Sequence, residues 1–174
     1  MSGSTLPVRS SMLGIGAGFS FVFGRSYPAE GELVGRDTLL SAIASCHVGL
    51  QVLGRRVPGD TPLNEWTATA DFGLAEAFIE GPRVENWRDR DLGKATILLR
   101  LDGHVCAAGE GRDTLGGPFD ALVWLARRLD EGGGSIEAGD IVASGSCTGL
   151  AQMTPGAVAT GDFGKLGAVK LRLG

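Results

Sequence analysis

Two hydroxyls in one glycine turn are the most chemically suggestive feature of this chain. Residues 145–149 read Gly-Ser-Cys-Thr-Gly. Glycine lets a backbone come close to a small molecule, and Ser146 and Thr148 each carry a hydroxyl that can donate a hydrogen bond. A plain tight turn between two strands would use the same residues. Cys147 lies between the two hydroxyls. A reactive thiolate needs a cation or a helix N-terminus beside it, and no basic residue lies within several positions. Cys147 is therefore read as an inert thiol. The only histidines are His47 and His104. His104 follows a hairpin turn. His47 lies just past a helix expected from Asp37 to Cys46, where a cation is favourable.

The turn must be held by the elements around it. Residues 140–143 form a short apolar run before it. Residues 157–163 and 167–173 pair as a hairpin about Gly164-Lys165-Leu166. Upstream, Gly14, Gly16, Gly18 and Ser20 alternate with Ile15, Ala17, Phe19, Phe21 and Phe23, a period of two that predicts a strand over 15–23. The same stretch could be a signal-peptide core, but it lacks a small-x-small cleavage site and is too short to span a membrane. Asp37 is the expected cap of a helix through Cys46. Strands are predicted at 48–53, 67–72 and 75–79. Residues 94–101 and 104–108 should form a hairpin turning at Asp102-Gly103. A second helix should start at Pro118 and end at the glycine run 132–134, with Leu122, Leu125, Ala126 and Leu129 on one face. Residues 1–11 read as a loose start.

Composition narrows the classes. Length is 174 residues, with 43% hydrophobic and 21% charged, which suits a single globular domain with a real core. Glycine is in excess, 29 residues, as expected of a strand-rich fold with many turns and bulges. Sixteen basic against twenty acidic residues give a net charge of −4. With no basic stripe, nucleic acid is not an expected partner, and no membrane partner is expected. Three cysteines without a CxxC suit a reduced, cytoplasmic protein.

The order G-D-I-V-x-x-G-S-x-T-G, then P-G, then D-F-G-x-L-G and a final apolar strand resembles the 2-keto-4-pentenoate hydratase and 4-oxalocrotonate decarboxylase group of the fumarylacetoacetate hydrolase superfamily. Gly109-Glu110-Gly111, Leu115-Gly116-Gly117-Pro118 and the apolar helix at 121–126 are similar to that group's glycine loop and following helix. Gly18-Phe19-Ser20-Phe21-Val22-Phe23-Gly24 sits where the group has a strand ending in F-V-x-G. The resemblance covers about residues 12–173. It implies a β-rich α+β fold with a mixed, curved sheet rolled around a central site and two main helices.

It also implies a magnesium or manganese ion held by three carboxylates. Two of them form a Glu-x-Glu pair on the first strand, where residues i and i+2 share a face. This chain has Gly16-Ala17-Gly18 there and Gln51 at the third position. No metal residues are assigned and no cofactor is expected. The group's catalytic lysine belongs to an N-terminal part that this chain is expected to lack. Where the group has an Asp-Asn pair, this chain has Asp71-Phe72.

A binding pocket remains the expectation. Ser146 and Thr148 match the turn that lines the group's substrate site. Arg56 and Asp71 keep their positions. Arg56 could clamp a substrate carboxylate bidentately or make a surface salt bridge; Asp71 could face the pocket or cap a strand end. Glu110 and Glu76 are the acids that could move a proton without a metal, and both could equally be surface charges. The implied function is a hydratase-like lyase acting on, or binding, a short 2-hydroxy-dienoate or 2-oxo acid. The alternatives are a non-catalytic homologue serving as a partner subunit or homo-oligomer, and a metal-free enzyme turned to a biosynthetic reaction.

Overall fold

The alternation read over 15–23 is the spine of the fold. In the computed structural model, which describes residues 5–174, β1 (Thr5–Leu6) precedes a long strand, β2 (Met12–Phe23). Ile15, Ala17, Phe19, Phe21 and Phe23 of β2 point into the core and are at most 1% exposed. Gly14, Gly16, Gly18 and Ser20 share the opposite face. Helix α1 (Arg36–Ala42) leads directly into β3 (Ile43–Gly54), which pairs antiparallel with β2. The register sets Gly16 opposite Gln51, Gly18 opposite Gly49 and Ser20 opposite His47. Helix α2 (Glu65–Ala70) precedes β4 (Ala75–Arg83), which pairs with the far side of β3.

The expected hairpin is present as β5 (Thr96–Leu101) and β6 (His104–Glu110). Asp102 and Gly103 both have positive φ, 47° and 85°, as a two-residue type I′ turn requires. Helix α3 (Pro118–Glu131) starts on Pro118 and stops at Gly132, with Leu122 and Ala126 buried and Leu125 and Leu129 packed behind them. Three strands follow: β7 (Ile141–Ala143), β8 (Val158–Asp162) and β9 (Ala168–Leu173).

These strands form two open sheets, ordered β4-β3-β2-β7 and β1-β9-β8-β5-β6. The second is mixed, because β1 runs parallel to β9 while its other pairs are antiparallel. The core lies between them. Phe19 meets Phe163 edge to face, ring centroids 5.2 Å apart. Phe119 of α3 packs on Phe21 at 5.3 Å and on Trp87 at 5.9 Å. The strand-rich α+β class holds; neither sheet closes into a barrel.

Three local expectations are corrected. The first helix ends at Ala42, not Cys46. Ile43 and Cys46 are buried opposite Phe23 and Phe21 in the β2–β3 pair, so sheet pairing takes them from the helix. Its N-cap is Gly35, and Asp37 sits within the first turn. Residues 67–72 were expected as a strand, but Thr67 to Ala70 belong to α2. The Asn64 side chain accepts hydrogen bonds from the Trp66 and Thr67 amides, both 3.0 Å, while the Asn64 amide donates to Thr67 Oγ1 at 3.0 Å. That reciprocal cap nucleates a helix turn. Within the loose start, Thr5 and Leu6 pair with Arg172 and Leu173; residues 1–4 lie outside the described residues.

Candidate functional site

The glycine turn is packed against the sheet. It lies flat along β2. Cys147 donates its amide to the Ala17 carbonyl at 2.8 Å, and Ser144 donates to the Phe19 carbonyl at 2.9 Å. The Ala17 amide donates to Thr148 Oγ1 at 3.1 Å, and Ile15 and Ala151 exchange both backbone bonds. Positive φ at Gly145 (107°) and Gly149 (69°) makes this path available. A Cβ at Gly16 would run into Ser146 Oγ, and a Cβ at Gly18 into the Gly145 carbonyl oxygen. Ser146 Oγ donates to the Gly149 carbonyl at 2.7 Å, and Thr148 Oγ1 does so at 3.2 Å. Both hydroxyls are thus engaged within the protein. Cys147 is buried, with Sγ 3.2 Å from Thr114 Oγ1, and burial pushes its thiol pKa up.

Arg56, Asp71 and Glu76 do come together. Asp71 is 2% exposed. It accepts the Arg56 amide at 2.7 Å, the Val57 amide at 3.4 Å and the Arg56 guanidinium at 3.2 Å. The Arg56 amide, followed by its guanidinium and the Val57 amide, holds the Asp71 carboxyl below the usual carboxylate range. The other end of the guanidinium lies 3.5 Å from Glu76, which also faces Arg9 at 3.5 Å. Arg56 is therefore an internal clasp between the loop after β3 and the start of β4.

Next to this clasp is a cavity of about 290 Å³ lined by Gln51, Leu53, Ala75, Glu76, Phe78 and Ala143. A bulge shapes its wall: Leu53 pairs with Ala75 and Val52 with Ala77, leaving Glu76 as the extra residue. The Phe78 ring occupies the space that a side chain at Gly49 would take. Gln51 is 8% exposed, and its amide nitrogen has no hydrogen-bond partner; nor does Ser20 Oγ. A larger, open hollow of about 400 Å³ lies among Arg90, Lys94, Phe163 and Lys165. None of the candidate residues reaches it, and Lys94 is paired to Asp91 at 2.9 Å. The sequence singled out Gln51 and Glu76 but not Phe78 or Ala143. Phe78 carried a signal, as a large aromatic facing away from the core-directed Ala77 and Ile79.

No protein-family model matches the chain. It is 30% identical over 132 residues to a 2-keto-4-pentenoate hydratase of Burkholderia vietnamiensis, covering 76% of this chain and 50% of that protein. It is 31% identical over 106 residues to a 4-oxalocrotonate decarboxylase of Pseudomonas putida, covering 61% and 40%. Its fold superposes on that of 4-oxalocrotonate decarboxylase from Pseudomonas putida G7, complexed with magnesium and adipate, with a TM-score of 0.82 at 26% identity; 92% of this chain and 60% of that one are covered. The chain is a homologue of these hydratases and decarboxylases. It spans about half the length of the curated relatives it matches. The fold is that of the fumarylacetoacetate hydrolase superfamily, seen also in a Yersinia pestis member at TM-score 0.68 and 17% identity.

The divalent cation that the resemblance implies does not fit this homologue's residues. Gly16 and Gly18 offer no side-chain ligand, and the 145–149 turn fills the space where side chains would stand. Gln51 is a neutral amide. Among the described residues, no group of three or more histidines, cysteines and carboxylates is arranged to hold a metal ion. Glu110 is apart from the cavity. It pairs with Arg112 at 2.6 Å on the surface, while its neighbour Gly109 backs onto the Cys147 carbonyl. No helix among the described residues is long and apolar enough to cross a membrane.

Proposed function

We propose that this chain is a lyase-fold domain that binds a short 2-oxo acid, or its 2-hydroxy-dienoate tautomer, without a divalent cation. The observation that carries the reading is the packing of residues 145–149 onto Gly16 and Gly18. A metal carboxylate at either position would require that turn to move. The names of the homologues support the chemical class in this reading, and the cavity beside Gln51 supports a site there. Lyase chemistry on such a ligand develops negative charge on the oxygen at C2, which needs a donor or cation. Here the cavity offers the Gln51 carboxamide and, for proton movement, the Glu76 carboxylate. Phe78, Leu53 and Ala143 give it an apolar wall.

A second reading has its own support. Ser146, Thr148 and Arg56 all have internal partners, which favours a binding or partner subunit over a catalyst. One set of measurements separates the outcomes. Dialysed protein should carry no stoichiometric magnesium or manganese, and EDTA should leave its melting temperature unchanged. Millimolar pyruvate or oxalate should raise it. A ligand shift without turnover selects the binding role, which makes co-purification with a catalytic homologue or self-association the next assay. A metal retained through dialysis would overturn the metal-free reading.

A further inference from the structure

The open hollow of about 400 Å³ lies at one end of the five-stranded sheet. The segment leading into β5 forms one side, with Arg90, Asp91 and Lys94. The turn between β8 and β9 forms the other, with Lys165. β5 and β8 are antiparallel neighbours, Leu98 opposite Asp162, so the two segments meet at the same sheet end. The buried side chains of Leu92 and Phe163 make the floor.

The charge of the hollow runs against that of the whole chain. The chain carries −4, whereas the lining holds three cations and one acid. That acid, Asp91, is met by Lys94 at 2.9 Å. Two more acids at this sheet end are also met. Asp162 accepts the Gly164 amide at 3.0 Å and faces Arg100 at 3.7 Å. Glu110, opposite Thr96 in the β5–β6 pair, is held by Arg112. Arg90 and Lys165 are left over, and neither has a salt bridge among the described residues. Arg90 is nonetheless fixed in place. Its Nε donates to the Glu85 carbonyl at 2.8 Å, which leaves the two terminal NH2 groups of the fork for a ligand. A guanidinium pinned in this way loses little freedom on taking an anion.

Cations on a convex surface are simply solvated. Here two of them border one concave space with an apolar floor, where the low-dielectric wall focuses the field and raises the local concentration of anions. The volume is in the range of small-molecule sites. Two unmet positive charges ask for two negative ones, and the Leu92–Phe163 floor asks for a hydrocarbon body between or beside them.

We propose that this hollow binds a small organic dianion, its charges on Arg90 and Lys165 and its hydrocarbon body over Leu92 and Phe163. Two carboxylates or one phosphate ester supply the same chemistry. The proposal is independent of any ligand beside Gln51.

Calorimetric titration of the full chain with glutarate and with phenyl phosphate separates these two sources. It is done at fixed ionic strength and about pH 8, where a phosphate ester carries both charges. At least one of the two should bind saturably at millimolar concentration. Preference for glutarate assigns the charges to two groups, and preference for phenyl phosphate to one; either supports the proposal. Lys165→Glu and Arg90→Gln should each weaken binding about tenfold or more, the low end for losing a hydrogen bond to a charged group. Lys165 is exposed on its turn, so its variant should melt as the wild type does. Lys170→Glu makes the same change in net charge at an exposed position of β9 outside the hollow, and it should bind like the wild type. Inorganic phosphate, which lacks the hydrocarbon body, should bind more weakly than the preferred organic dianion. The proposal is overturned if neither organic dianion binds, if Lys165→Glu and Lys170→Glu weaken binding alike, or if inorganic phosphate binds equally well.

Discussion

At Gly18 the missing side chain has a structural consequence as well as a chemical one. Its Cβ position coincides with the Gly145 carbonyl oxygen, which is backbone and cannot rotate aside. Gly18→Ala should therefore destabilise the protein by about 1–3 kcal/mol through overpacking, each kcal/mol lowering the melting temperature by about 2–4 °C at this size. Gly59, whose added Cβ would meet nothing within 4 Å, is the control; equal melting of the two alanine variants would refute the packing. Asp71 allows a pH test. Its folded pKa lies below the usual carboxylate range, so its contribution is fully present above about 3.9, the unfolded value, and disappears as pH falls through the folded value. Asp71→Asn should lower the melting temperature near neutrality and flatten its acid-side decline. An unchanged acid profile would mean that the Arg56 clasp does not form. The sequence disclosed the residue types at Gly16, Gly18, Gln51 and Asp71. That Gly16 and Gly18 are roofed by the turn depends on contacts more than a hundred residues apart, which no local pattern encodes.

Elements were legible where a single force decides them. Period-two alternation gave β2, and Asp102-Gly103 gave the β5–β6 hairpin. Proline and glycine bounded α3. The failures came where two forces compete. The Ile43 to Cys46 stretch has a helical pattern, yet its burial against β2 is worth more than a further helical turn. Residues 65–70 have β-leaning Trp and Thr, yet the Asn64 cap decides for helix. Because α2 buries no residue, this cap should act locally. Asn64→Ala should cost about 1 kcal/mol of helix stability and speed amide exchange over residues 67–70, while the global melting temperature barely moves. A large global loss would show that α2 is docked more firmly than its exposure implies.

For the molecule as a whole, the two sheets and α3 reproduce the lyase fold, while the face that should hold a cation is closed by the protein's own backbone. The sequence revealed the fold through its long-range motif order, and the residue types Gly16, Gly18 and Gln51 at the three positions where the resemblance implies carboxylates. Hydration of a dienoate depends on stabilising charge at C2, and removing one such electrostatic contact typically costs about 10²–10³-fold in rate. A cation replaced by a single neutral amide should cost at least that. We therefore expect 2-hydroxypenta-2,4-dienoate, followed by loss of its conjugated absorbance with added magnesium, to be turned over at the background rate. Turnover of about 1 s⁻¹, within the ordinary enzymatic range, would mean that other residues have rebuilt the chemistry. In that event the two acids give opposite signals. Glu76 borders the cavity, so Glu76→Gln should abolish the activity. Glu110 is held on the surface by Arg112, so Glu110→Gln should leave it intact; the reverse pattern would place the reaction beside the glycine loop instead.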